Sequence, residues 1–195
     1  NITNMNKRPK ETPHEISGLP THLGGHGNRN HIDNGALNAI CQKFSINSML
    51  DVGCGLGEMK TLCDERSIAY LGIDGDYTVK RNHDSVTIHD YTQGKSLIEG
   101  EYDLGWSTEF LEHVEEAYKG NYMNDFSKCK YALVTHAPPG KRGYHHVNLK
   151  PAEYWISVFE SYGFKLDSDV TQLICKESTL DRNFIREHGL FFVKA

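Results

Sequence analysis

Short, nearly continuous apolar runs alternate along this chain with segments whose apolar residues recur three and four positions apart. The first pattern marks buried strands and the second marks amphipathic helices. Strands are predicted over 48–52, 69–74, 85–88, 102–106, 131–135, 164–166 and 190–193. A helix is predicted from an N-cap at Asp33, with Ala36, Leu37, Ile40, Cys41 and Phe44 as its stripe. Others are predicted over 57–66 with Met59, Leu62 and Cys63 inward, over 108–115, and over 118–127. A helix from Pro151 to Tyr162 carries Tyr154, Trp155, Val158 and Phe159, with Gly163 as its cap, and a polar one spans 178–188. Residues 76–82 read as a short helix or turn.

Strands that alternate with helices build a doubly wound α/β domain around a mainly parallel seven-stranded sheet. The last strand lacks a crossover of the earlier kind, so it is expected to insert antiparallel. Residues 1–20, with Pro9, Pro13 and Pro20, read as an extended arm. Residues 21–31 read as a loop rich in Gly, His and Asn. The expected division is therefore an arm and loop over 1–32 and a single domain over 33–195. A second long loop, 136–148, follows the fifth strand.

The chain's 195 residues suffice for one full core, and its formal net charge of −5 argues against a nucleic-acid partner bound through a broad basic face. No apolar run is long enough to span a membrane, and no secretory signal is visible. The five cysteines are scattered without a CxxC pair, which suits reduced thiols and a cytoplasmic protein.

Chemistry concentrates where the first strand ends, at Asp51-Val52-Gly53-Cys54-Gly55-Leu56-Gly57. Glycines at alternate positions allow unusual backbone angles and close approach of a ligand. The second strand ends at Asp74, a carboxylate able to accept both hydroxyls of a ribose diol. Asp90 follows the third strand, placed for the exocyclic amine of a base. Together these describe a nucleoside pocket; the plainer reading is that both acids cap turns. No GK[ST] follows the glycines, which excludes a P-loop, and Glu58 occupies the place of the third glycine of a dinucleotide fingerprint. A carboxylate at Asp51 would repel a pyrophosphate but suits an ammonium or sulfonium.

These residues resemble the first motif of class I S-adenosylmethionine-dependent methyltransferases. Gly72-Ile73-Asp74 is similar to that family's second-strand acidic motif. Tyr102-Asp103-Leu104, through Ser107-Thr108-Glu109-Phe110-Leu111-Glu112-His113-Val114, is similar to the fourth-strand pattern of its small methyltransferase-domain members. The resemblance covers roughly residues 36–168, His146-Val147-Asn148 and Gly163-Phe164 included.

The resemblance implies a Rossmann-like fold and S-adenosyl-L-methionine as cofactor. Gly53, Cys54 and Gly55 would lie along its methionine moiety, with Asp51 orienting it. Asp74, with Gly75 beside it, would hold the ribose, and His89, Asp90 and Tyr91 would flank the adenine. Ser107, Thr108 and Glu109 would line the methionine side. Cys54 is expected to pack rather than react. The [DN]-P-P-[YF] signature of amino-methylating members is replaced by Trp106-Ser107-Thr108-Glu109, which disfavours adenine or glutamine-amide acceptors.

The expected activity is methyl transfer to oxygen or nitrogen of a hydrophilic small-molecule or sugar-like acceptor. A hydroxyl nucleophile needs a base. His136 and His113 are the first candidates, His113 being alternatively an orienting residue; Glu112, His145 and His146 follow. The acceptor is expected to meet His26 and His31 of the first loop and His145 and His146 of the second. No metal site is expected, because His22, His26 and His31 lack an acidic partner before Asp33. Two alternatives stand beside this reading: an NAD(P)-linked oxidoreductase, and a catalytically silent cofactor-binding module.

Overall fold

The computed structural model describes residues 18–24, 29 and 31–195. Its strands are β1 (Ser48–Val52), β2 (Ala69–Asp74), β3 (Val86–Ile88), β4 (Tyr102–Ser107), β5 (Cys129–Thr135), β6 (Phe164–Leu166) and β7 (Gly189–Lys194). The helices are α1 (Asn34–Lys43), α2 (Met59–Glu65), α3 (Lys119–Phe126), α4 (Ala152–Ser161), α5 (Ser168–Glu177) and α6 (Phe184–His188). One sheet takes the order β3-β2-β1-β4-β5-β7-β6. The strands from β1 to β5 pair in parallel, and β7 runs antiparallel between β5 and β6, as expected from its missing crossover.

The apolar strand runs are continuous because both sheet faces are covered. Met49 on β1 joins one core layer with Leu37 and Ile40 of α1, Leu62 of α2 and Ile174 of α5. Its neighbours Leu50 and Val52 join the other, with Met123 and Phe126 of α3 and Trp155 and Phe159 of α4. Between β1 and β4 the winding reverses, since β2 lies on one side of the pair and β5 on the other. The carboxyl ends of β1 and β4 therefore diverge into a crevice, where ligands bind in sheets of this kind.

Three segments differ from their sequence reading. Helix α2 starts at Met59 rather than 57, because Gly57 sits at φ +74°, outside the helical region. Residues 108–115 form no α-helix: Glu109 adopts φ +54° and a single 3-10 turn, Leu111–His113, follows. The Glu109 N–H donates to Thr135 Oγ1 at 2.8 Å, which ties this turn to β5. The helix expected over 178–188 is instead α5, one element earlier, and only the short α6 falls inside that range. Asp167 caps α5 by accepting from Val170 N at 2.9 Å, and Val170 and Ile174 bury its inner face. Ser178 and Thr179 are held out of helix by bonds to Asp33.

Candidate active site

The donor side is built from the ends of β1 and β2. Gly53, Gly55 and Gly57 all have positive φ, at 70°, 55° and 74°. Gly53 is doubly constrained, because a Cβ there would lie 2.3 Å from Cδ2 of Phe110. The backbone N–H groups of Gly53 and Cys54 both donate to Ile73 O, at 2.8 and 3.0 Å, so the loop is pinned to β2. Asp74 Oδ2 accepts from Gly55 N at 2.8 Å, and its Oδ1 accepts from Asp76 N at 2.9 Å and lies 3.3 Å from Arg81 Nη2. Arg81 also donates to Gly55 O at 2.9 Å. Asp74 is thus the tie that shapes the glycine loop while still lining the cleft.

Asp51 is buried, and Tyr70 donates to its Oδ2 at 2.7 Å. Burial pushes its carboxyl up to about 7, more than the Tyr70 bond lowers it. Cys54 fills the space over Gly72, where a Cβ would lie 2.6 Å from its Sγ. Burial, with Asp51 and Asp74 nearby, raises its thiol well above the usual range, so it packs and does not react.

These residues open on a cleft of about 300 Å³ that runs from Gly75, Asp90 and Tyr91 past the glycine loop to Glu109 and His113. Its lining holds six carboxylates, Asp51, Glu58, Asp74, Asp90, Glu109 and Glu115, against the single guanidinium of Arg29. That balance favours a ligand with more positive than negative groups.

A short 3-10 turn, Thr21–Leu23, lines the cleft at the Asp90 end. His22 Nε2 lies 2.8 Å from Asp90 Oδ2, and Asp90 Oδ1 accepts from Thr92 N and Oγ1 at 2.9 and 2.8 Å. Part-burial raises the Asp90 carboxyl, but the His22 and Thr92 bonds outweigh it and hold it below the usual range.

At the other end, Glu109, Glu112, His113 and His146 each offer one ligating atom, and all four atoms lie within 4.8 Å of one another. Glu112 is 1% exposed, and its Oε2, like Nδ1 of His113, is buried without a hydrogen-bond partner. Burial, then the facing Glu109, pushes the Glu112 carboxyl well up. Burial also pushes His113 down to about 4, so its imidazole is neutral at pH 7. His146 Nδ1 donates to Lys141 O at 2.9 Å, which leaves Nε2 as its lone-pair nitrogen. Two carboxyl groups and two imidazoles, with an outer carbonyl accepting from one ring, form a donor set that suits a divalent cation. The sequence pointed away from a metal, on the N-terminal histidines; the fold brings this set together elsewhere, from Glu112, His113 and His146, which read as candidate bases, and Glu109, which read as lining the methionine side. The signal was present in the spacing Glu109-x-x-Glu112-His113, one compact turn of side chains.

The other predicted residues divide. Gly53, Cys54, Gly55, Asp74, Gly75, His89, Asp90, Tyr91, Thr108 and Glu109 line the cleft with Asp51, as do His31 and His145. Ser107 does not: it is buried, and its Oγ donates to Val52 O at 2.8 Å, tying β4 to β1. His136 is also absent from the cleft lining. Its Nδ1 donates to Lys150 O at 3.2 Å, and its ring packs 5.4 Å from that of His188. At the start of the long loop after β5 this side chain is turned toward Lys150 and His188, so the base assigned to it from the sequence does not face the cleft. His26 lies outside the described residues. Leu23 and Arg29 on the cleft and Arg81 behind it were not singled out in the sequence, and His22 was weighed there only as a metal ligand.

The chain matches no family model and no curated protein. It is similar in structure to magnesium protoporphyrin IX methyltransferase from Synechocystis PCC 6803 with bound SAM, at 18% identity over 82% of this chain and 76% of that one, TM-score 0.53. A TehB-like SAM-dependent methyltransferase from Corynebacterium glutamicum aligns at 16% identity over 83% of this chain and 88% of that one, TM-score 0.57. The small RNA methyltransferase HEN1 aligns at 16% identity over 78% of this chain and 23% of that one, TM-score 0.52. The fold is that of the class I SAM-dependent methyltransferases.

Proposed function

We propose that the protein is an S-adenosylmethionine-dependent methyltransferase that acts on a hydroxyl oxygen of a hydrophilic, sugar-like acceptor with the help of a divalent cation. The observation that carries this reading is the Glu109–Glu112–His113–His146 cluster, which meets through Glu109 and His113 the same cleft that the glycine loop, Asp74 and Asp90 line, with Glu112 and His146 outside the lining. The donor fits the residues present: the buried Asp51 at the end of β1, Asp74 at the end of β2 and the carboxylate-rich lining all suit a nucleoside bearing a sulfonium and an ammonium.

When bound, the donor supplies a methyl group already activated by its positive sulfur. The protein's part is then mostly placement of the acceptor in line with it. Asp74 and Asp90 would hold the nucleoside, and Asp51 would face the ammonium, which draws the proton from its carboxyl. A divalent cation supplies a lowered pKa for a hydroxyl at neutral pH. Glu109, Glu112, His113 and His146 would hold it, Glu112 giving up its proton as the charge arrives. This makes oxygen the favoured acceptor atom over nitrogen, whose lone pair needs no such help. A ribose diol at an RNA end is a specific form of the same acceptor. The likeness to a small RNA methyltransferase supports it, as does loop 136–150, where Lys141, Arg142 and Lys150 stand without an acidic residue.

The test is transfer of a labelled methyl group to diol-bearing acceptors, an RNA oligonucleotide included, with Mn²⁺ or with EDTA. The reading expects transfer that EDTA abolishes and that Glu112→Gln lowers by about a hundredfold or more. Transfer untouched by EDTA would remove the cation from the account. Mn²⁺ binding should also weaken as the pH falls, because the raised Glu112 carboxyl must ionise to ligate; an affinity independent of pH would contradict the burial assigned to that carboxyl.

A further inference from the structure

The turn Thr21–Leu23 touches both halves of the site. Toward the donor half, His22 bonds Asp90 at 2.8 Å, and Leu23 packs so closely over Gly75 that an added Cβ would lie 2.4 Å from its Cδ2. Toward the acceptor half, Tyr144 Oη donates to Thr21 O at 2.7 Å, and the rings of His22 and His145 are 6.4 Å apart. The next residue is His146, the loop's contribution to the cation cluster. Just beyond it, the N–H groups of Val147 and Asn148 donate to Glu112 O at 2.9 and 3.1 Å, and Asn148 Nδ2 donates to Glu116 Oε2 at 3.1 Å. The loop is therefore fixed on one flank by Glu112 and Glu116 and on the other by Tyr144. His146 lies between the two anchors.

We infer that His22 and Tyr144 are positioning residues that couple donor binding to cation binding, through a strap that closes over the donor and at the same time holds His146 in the cluster. The inference rests on the function proposed above. Thr21, His22 and Leu23 line the cleft, so a ligand inside it touches them only when the strap is closed. A ligand shifts an equilibrium by its differential contacts with the two states, and these contacts belong to the closed one. The closed strap also brings Thr21 O to Tyr144, so the same shift orders the loop that carries His146. Linkage then demands reciprocity: the cation must tighten the donor by the factor with which the donor tightens the cation.

The experiment is calorimetric titration of the full chain with Mn²⁺, with and without saturating S-adenosylhomocysteine, and the reverse titration. Wild type should bind Mn²⁺ on the order of fivefold or more tightly when S-adenosylhomocysteine is present, with the same factor in reverse. In Tyr144→Phe each ligand alone should bind within about twofold of wild type, while the coupling factor falls to about one. His22→Ala should lose the coupling too and weaken S-adenosylhomocysteine besides. A wild-type factor near one, with both ligands bound, overturns the coupling and leaves the proposed function standing. Full coupling in Tyr144→Phe overturns the assigned route. Failure of wild type to bind either ligand overturns the proposed function and this inference with it.

Discussion

Asp51 shows what the site demands of a single residue. Its carboxyl is buried at the end of a central strand with Tyr70 as donor, and burial raises it to about 7. Between the ordinary value near 3.9 and about 7, the folded chain keeps a proton that the unfolded chain has lost. The stability this represents is fully present at low pH and is lost as the pH rises through 7. Replacing Asp51 with Asn should therefore raise the melting temperature at pH 8.5 by a few degrees and change it little at pH 5. The same variant should weaken S-adenosylhomocysteine by about tenfold or more, since the ammonium loses its charged partner. A melting difference that is flat across pH would contradict the burial assigned to this carboxyl. His113 acts in the opposite sense. Burial lowers it to about 4, so the unfolded chain gains a proton first, and stability is lost as the pH falls from about 6.5 to 4.

Among the elements, helix α1 has the firmest start. Asp33 is fully buried; Oδ1 accepts from Ala36 N at 2.8 Å and from Thr179 N at 2.9 Å, and Oδ2 accepts from Ser178 Oγ. One carboxylate thus caps α1 and fastens the segment that leaves α5. Asp33→Ala should cost about 2–4 kcal/mol in urea unfolding, more than an ordinary cap, because it strands buried donors on two elements. A loss within about 0.5 kcal/mol would show that water replaces the carboxylate. The N-cap itself was legible in the sequence, from an acid before an apolar stripe. So were the seven strands, the glycine loop and the antiparallel ending, because each rests on a local pattern or a rule of connection. What escaped was set by contacts distant in sequence. The turn after β4 is shaped by Thr135 and Gly53, not by the helical spacing of its own residues. His136 faces Lys150 and His188, neither of them near in sequence. The Glu–His cluster needed His146 to be carried across from another loop, a step that no local period encodes.

For the molecule as a whole, the sheet order decides where chemistry can occur. The reversal between β1 and β4 opens one crevice, and the glycine loop, the strand-end acids, Glu109 and His113 all meet there. A chain of net charge −5 places six carboxylates around a cleft with one arginine, an expensive arrangement that a cationic ligand relieves. No helix of the described residues is long and apolar enough to cross a membrane. The central claim is that this cleft holds S-adenosylmethionine, and the most direct measurement is calorimetric titration with its product, S-adenosylhomocysteine. The account predicts saturable binding at one site per chain, weakened by roughly 1–3 kcal/mol in Asp74→Ala as the ribose loses a charged acceptor. No binding at millimolar product, or equal affinity in the Asp74 variant, would contradict it.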